Sequence, residues 1–312
     1  MSEVTAILRK FHGAAGEFVR LTAGEQPKLP ELEKLGFVIE SHPHLGHRLV
    51  KTPDRLLGED LQARVQTRVI GSTILVFEET SSTNDVVLRM AGSGTQEGLA
   101  VFAESQTRGR GRRGRVWMSP KRKGLWFSVL LRPRIAPVAL TRVTVAASVA
   151  VARALHQFAG VNARIKWPND VTVGGRKLAG ILTEMHGEAD EIKFAILGIG
   201  IDMNCRQEEL PEGIPATSLL IETGEAQDRA ALAAVVLTAL DDAYRLALEN
   251  FDAVIEEWAQ LCTTLGKQIA VTMGPRRIEG HAQALDGDGA LLLRQDNGRI
   301  ERIVGGDIVV EK

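Results

Sequence analysis

At 312 residues the chain has room for two or three folded units around a sizeable core, and its 44% hydrophobic and 25% charged residues are ordinary for a soluble globular protein. A net charge of −1 excludes whole-molecule attraction to nucleic acid or an anionic membrane, so any basic surface must be local. Two distant cysteines, Cys205 and Cys262, in no CxxC or CxxH spacing indicate reduced thiols rather than a disulfide or zinc site, and neither the amino terminus nor the apolar run 143–155, interrupted by Arg153, reads as a signal or membrane span, so a cytoplasmic protein without membrane contact is expected.

In the first 65 residues Val4, Ile7, Leu8 and Phe11 fall at helical spacing. A short charged helix follows in PELEKLG, with Pro30 at its start and Gly36 at its end, and then FVIESHPHLGHRLVK, whose two alternating runs predict a β-hairpin. Helix followed by hairpin is the skeleton of a winged helix-turn-helix. The stretch between Phe18 and Gly36, interrupted by Pro27 and Pro30, has hardly room for two helices and a turn. Nine Lys/Arg meet nine Asp/Glu through Arg64, which speaks against a phosphate-tracking surface.

From residue 66 strands alternate with helices. Residues 73–77 are β-rich, and Ser82, Thr83, Asn84 and Asp85 precede a helix at 86–91; such side chains cap a helix or bind a polar ligand group. A strand at 99–103 leads into QTRGRGRRGRVW, residues 106–117, which places Arg108, Arg110, Arg112, Arg113 and Arg115 among Gly109, Gly111 and Gly114. Glycines free the backbone to turn its N–H groups inward, and guanidiniums offer planar forks for phosphate or carboxylate oxygens. The segment reads as an anion-binding loop, mobile when empty, and held at its far end by the buried strand 124–131.

An Ala- and Val-rich helix at 141–158 should pack on that sheet. In RIKWPNDVTVGGRKLAGILTE, residues 164–184, Gly174-Gly175 sits between two β-branched runs as a two-residue turn, which would set Thr172 opposite Lys177 and Asp170 opposite Ala179. Lys177 and Asp170 then share one face, with Lys166 and Asn169 beside them. Residues 193–204 form a buried strand whose Gly198 and Gly200 permit close approach of a ligand or another backbone. Helices at 228–248 and 251–261 follow, and from Gly266 short runs between Gly-Pro, Asp-Gly-Asp-Gly, Asn-Gly and Gly-Gly turns describe a small accessory β-barrel.

SSTN at 81–84, ESQTRGRGRRGRVW at 104–117, KWPND at 166–170, RKLAGIL at 176–182 and GIGIDMN at 198–204 resemble, in order and spacing, the successive motifs of bacterial biotin protein ligases. The resemblance covers 66–312. It implies an α+β fold: a class II synthetase-like catalytic domain with mixed sheet and helices at 66–265, an SH3-like β-barrel at 266–312, and a degenerate winged-helix-like domain at 1–65. That last region is shortened where members that also repress biotin synthesis genes carry a reading helix.

The resemblance further implies an enzyme that joins biotin to ATP, releases pyrophosphate, holds biotinyl-5′-adenylate, and transfers biotin to a lysine of a biotin carboxyl carrier domain, with Mg²⁺ assisting. By matching position Ser82, Thr83, Asn84 and Gln106 would hold the ureido end of biotin, Arg110, Gly111 and Arg112 its carboxyl and phosphate region, and Lys177 the developing acyl-phosphate. Trp117 resembles the tryptophan beside adenine. Lys166, Asn169, Asp170, Asp202 and Asn204 fall to the ATP side, with no metal ligand set assigned; Asp170 is also a candidate for deprotonating the acceptor amine. The family usually has asparagine where this chain has Asp202, and a carboxylate there would either bind Mg²⁺ or repel triphosphate. A lipoate ligase and a ligand-sensing DNA-binding repressor are the rival readings, and an exposed sheet edge would suit a homodimer.

Overall fold

The computed structural model describes residues 2–92, 94–188 and 190–310. Helix α1 (Glu3–Gly13) starts where the Ser2 hydroxyl accepts a hydrogen bond from the Thr5 N–H, and buries Val4, Ile7, Leu8 and Phe11 as their spacing requires. The single-turn-and-a-half helix α2 (Leu29–Lys34) is the one α-helix between Phe18 and Gly36, with Pro30 in its first turn. The hairpin β1 (Val38–His42) and β2 (Gly46–Lys51) follows as expected. A further helix, α3 (Gly58–Arg64), escaped the sequence reading; its Leu57 and Ala63 side joins the amino-terminal core with Leu32 and Phe37, while Leu61 and Val65 join the main core.

The main body is a seven-stranded sheet in the order β3 (Thr73–Phe77), β4 (Leu99–Ala103), β5 (Gly124–Leu131), β9 (Ile192–Asp202), β8 (Arg176–Gly187), β7 (Asp170–Val173) and β6 (Ala163–Lys166). Only β3 and β4 are parallel, because α4 (Thr83–Ala91) carries the chain across between them; the other neighbours are antiparallel. β4 and β5 are buried on both faces, and Phe102 and Phe127 stack across them at 4.7 Å.

Strand alternation divides β9 cleanly. Leu197, Ile199 and Ile201 pack into the core with α5 (Thr141–Ala159), α7 (Arg229–Glu249) and α8 (Phe251–Leu261), whereas Gly198, Gly200 and Asp202 turn to the side of α4. The stretch Pro137–Ala159 is longer than the 143–155 run suggested and is apolar enough to cross a membrane by length and composition, but most of it is buried inside the protein. A short helix, α6 (Leu219–Thr223), lies between β9 and α7.

Strands β10 (Gln268–Met273), β11 (Arg276–Leu285), β12 (Leu291–Arg294), β13 (Ile300–Ile303) and β14 (Asp307–Val310) make a five-stranded antiparallel sheet, consistent with the SH3-like unit expected there. Its Asp288 carbonyl accepts the Thr141 hydroxyl proton at the start of α5. A buried ion pair closes the middle of the molecule: Arg229 Nη1 lies 2.5 Å from Glu104 Oε2, and the Leu56 N–H donates to Glu104 Oε1 at 2.7 Å. Three parts of the chain thus meet at the residue that leads into the arginine loop.

Candidate active site

The β3–α4 turn, the arginine loop between β4 and β5, the start of β8 and the end of β9 all lie at one end of the sheet. Register requires it: Ala103 pairs with Trp126, Gly124 with Asp202, and Ala179 with Ile201. Together they enclose a cavity of about 270 Å³.

The arginine loop is itself folded. Arg110 and Val116 form an isolated antiparallel bridge, and the Gly111 N–H donates to the Arg115 carbonyl at 2.6 Å. The expected mobility of an uncompensated charge run meets a different arrangement, in which the protein supplies its own anions. Arg110 reaches Asp85 at 2.5 Å and Glu184 at 3.5 Å, while Arg113 and Arg115 share Asp307 of β14 at 3.0 and 2.7 Å. Burial works against the charge on Arg110, but the bond to Asp85 and the pull of Glu184 outweigh it and raise its pKa. Arg112 is treated differently. Its Nη1 donates to the neutral Asn169 Oδ1 at 3.0 Å, and burial, with Arg113 adjacent, pushes it below the ordinary guanidinium range. A half-buried cation held this way at a cavity wall is suited to an incoming anion.

The floor is made by missing side chains. A Cβ at Gly200 would lie 2.3 Å from Trp117 Cε2, and one at Gly180 would lie 2.7 Å from Trp117 Cζ3, so only glycine lets the indole lie on the two strands. The flat face expected to stand beside a base rests against the sheet, with Lys177 Nζ 5.1 Å from the ring centroid and Trp126 edge-on at 6.3 Å. Gly198 makes similar room for the Asn84 carboxamide: a Cβ there would meet Oδ1 at 2.4 Å.

Ser82, Thr83 and Asn84 are all buried at the start of α4. Ser82 occupies the N-cap position, yet its side chain makes no capping bond; the Gln106 Oε1 instead accepts from the Thr83 N–H at 2.8 Å. Simple capping therefore does not account for the Ser82 hydroxyl, which lines the cavity. Gln106 is oriented by its Nε2, which donates to Ser119 at 2.8 Å.

Lys177 and Asp170 meet as their shared face predicts, with Nζ 2.7 Å from Oδ1. The register differs by one residue: Thr172 opposes Lys177, but Asp170 opposes Gly180 rather than Ala179, because Leu178 is a bulge. The cause is tertiary. Lys177 also pairs its backbone with the segment around Ala216, donating to the Pro215 carbonyl and accepting from the Thr217 N–H, both at 2.8 Å.

Asp202 lines the same cavity at 6% exposure, and burial pushes its carboxyl up to about 8 against the opposing charge of Lys177. At neutral pH it is mostly protonated and closer in chemistry to an amide than to a carboxylate. Neither a strong metal ligand nor a repelling charge is then present. Lys166 and Asn169 also line the cavity, whereas Asn204 does not: its carboxamide accepts from the Gln227 N–H and donates to the Gln227 carbonyl.

Sequence reasoning missed Asp85, Glu184 and Asp307 as partners of the arginines. Asp307 belongs to the unit read as merely accessory, yet with Gly306 and Ile308 it forms part of the cavity wall. For Glu184 the signal was parity, since it lies two and four residues from Leu182 and Gly180 on one strand face. For Asp307 no local signal exists.

The cavity gathers Arg110, Arg112 and Lys177 at one end of the sheet, and comparison with known proteins names the class. Residues 76–204 match the biotin/lipoate A/B protein ligase family, and residues 264–310 match the biotin protein ligase C-terminal domain. The chain is 34% identical to the bifunctional ligase/repressor BirA of Bacillus subtilis, over 90% of this chain and 87% of that protein. It is 32% identical to the biotin–[acetyl-CoA-carboxylase] ligase of Paracoccus denitrificans, over 72% of this chain and 95% of that one. The structure of the Aquifex aeolicus biotin protein ligase in complex with biotin and ATP superposes with a TM-score of 0.65 at 29% identity, covering 77% of this chain and 99% of that one. The chain belongs to the biotin protein ligase family.

Proposed function

We propose that this chain activates biotin with ATP and transfers it to a lysine of a biotin carboxyl carrier domain. One observation carries the reading: Arg112, a half-buried cation with no carboxylate in hydrogen-bond contact among the described residues, and Lys177 flank a single cavity floored by Gly180 and Gly200. In the first step a biotin carboxylate oxygen bonds to the α-phosphorus of ATP, the bond from that phosphorus to the bridging oxygen breaks, and pyrophosphate leaves. Two anions must approach, so fixed cations are needed where their charges meet. Arg110, Gly111 and Arg112 are the candidates for the carboxyl and phosphate region, and Lys177 for the acyl-phosphate. Ser82, Thr83, Asn84 and Gln106 suit the polar ring end, because Thr83, Asn84 and Gln106 already stand in directed hydrogen bonds and Ser82 lines the cavity beside them.

In the second step the neutral amine of the acceptor lysine attacks the carbonyl carbon of the mixed anhydride, AMP leaves, and the nitrogen gives up a proton. Asp170 is our candidate to receive it. Its partner Lys177 holds it at the cavity wall, and transfer from preformed adenylate by Asp170→Asn at the wild-type rate across pH would remove that role.

The described residues contain no group of three His, Cys, Asp or Glu that could hold a metal ion. Asp170 beside Asn169 fits a Mg²⁺ that arrives on the nucleotide, since that ion keeps phosphate and water ligands and takes one or two carboxylates. Asp202, mostly neutral, is the poorer donor. When bound, the ion would neutralise triphosphate charge.

The reading predicts biotin-dependent exchange of labelled pyrophosphate into ATP. Absence of exchange by folded protein overturns it, and preferential competition by lipoate would favour a lipoate ligase instead. In the amino-terminal unit Lys10, Lys28, Arg48 and Arg64 are each paired with a carboxylate of that unit, which supports a role other than tracking phosphates. One operator bound far more tightly than random DNA in a gel shift would restore the repressor reading. Both cysteines are free and buried, which supports a cytoplasmic setting. The edge strand β3 suits self-association, which sedimentation would read, whereas β6 is covered by the segment around Cys262.

A further inference from the structure

Glu184, midway along β8, has no part in the roles set out above, yet it touches both ends of the cavity's polar wall. Its Oε2 accepts from Asn84 Nδ2 at 2.7 Å and lies 3.5 Å from Arg110 Nη2. A carboxylate only accepts, so it dictates which way the Asn84 carboxamide points. With Nδ2 turned to Glu184, Oδ1 is left to accept from Ser128 Oγ at 2.5 Å, and Ser128 in turn contacts Thr83 Oγ1 at 2.6 Å. Because Ser128 gives its proton to Asn84, the Thr83 hydroxyl donates to Ser128, and Thr83 meets Gln106 through its N–H at 2.8 Å. The donors and acceptors offered to the ring end of a ligand are thus ordered from one anionic terminus, and that terminus also faces the first cation of the loop.

We propose that Glu184 is a positioning residue: its carboxylate locks the orientation of the Asn84 carboxamide and anchors Arg110, so that the ring end and the charged end of the substrate are read by one connected set of groups. The inference rests on the biotin ligase reading. Isosteric Glu184→Gln presents an amide in place of a pure acceptor, and Asn84 then has two comparable orientations, of which one matches the ligand. The buried chain of hydrogen bonds makes the wrong orientation propagate to Ser128 and Thr83.

The test uses the full chain in biotin-dependent pyrophosphate exchange, with thermal stability measured beside it. Glu184→Gln is expected to raise KM for biotin about tenfold, as for a lost hydrogen bond to a charged group, with kcat changed less than about twofold and the fold intact. Asn84→Asp sets two carboxylates against each other and should fall further. Asn84→Asp combined with Glu184→Gln restores one amide and one carboxylate, and is expected to be several-fold more active than Asn84→Asp alone. A merely structural Glu184 would lower thermal stability rather than move KM at unchanged kcat. Unchanged KM in Glu184→Gln, or a double variant no better than Asn84→Asp, overturns the proposal. Lack of exchange by the wild type would instead overturn the functional reading.

Discussion

Replacing Asp202 by asparagine tests how burial controls this site. Both carboxyl states must be followed. In the unfolded chain Asp202 titrates near 3.8, and in the native cavity near 8. Between those values the native state keeps a proton that the unfolded state has lost, so native stability falls as pH rises; below about 4 there is no penalty, and above about 8 it is complete. A gap of about four units corresponds to about 5 kcal/mol in all, or about 1.4 kcal/mol for each pH unit in the window. Asparagine does not titrate. Urea denaturation at pH 5, 6 and 7 should therefore show wild-type stability falling relative to Asp202→Asn by about 3 kcal/mol across the range. A difference constant to within about 0.5 kcal/mol would refute the assignment of a protonated native carboxyl. If Asp202 lies on the proposed ATP side, the same titration should weaken ATP binding by the wild type above pH 8 while leaving Asp202→Asn unaffected, because an ionised cavity carboxylate repels triphosphate.

Gly200→Ala places a Cβ 2.3 Å from the Trp117 ring; the indole must leave the floor, with stability down by about 1–3 kcal/mol and KM for biotin up, and unchanged melting and KM would contradict the packing described. Glu104→Gln leaves the buried Arg229 with only the exposed Asp54 at 3.5 Å among its carboxylate partners and should cost about 3 kcal/mol in denaturant titrations, with much of the loss recovered when Arg229→Met is added. Arg112→Gly should speed release of biotinyl-adenylate about 10- to 100-fold, followed by separating bound from free adenylate; unchanged dissociation would count against retention by the loop.

What was legible in the sequence was whatever a local rule governs. Gly174-Gly175 marked the hairpin that brings Lys177 to Asp170, and Gly198 and Gly200 marked a close approach. The identity of what approaches was not local: Gly198 admits Asn84 and Gly200 admits Trp117, both from other elements. The bulge at Leu178 arises because Lys177 pairs with the segment around Ala216, far along the chain. Asp307 reaches Arg113 and Arg115 only because the carboxy-terminal sheet folds back onto the loop, and Asn204 is taken out of the cavity by Gln227. Loop mobility was inferred from charge and glycine content, which omits the carboxylates that tertiary structure brings up.

The most direct measurement is diffraction from crystals of the chain with a non-hydrolysable acyl-adenylate analogue of biotin. The account predicts that the guanidiniums of Arg110 and Arg112 lie on the phosphate and carbonyl oxygens, with the bicyclic ring against Asn84 above β9. Density showing those side chains turned to solvent and the analogue bound away from the sheet would contradict it.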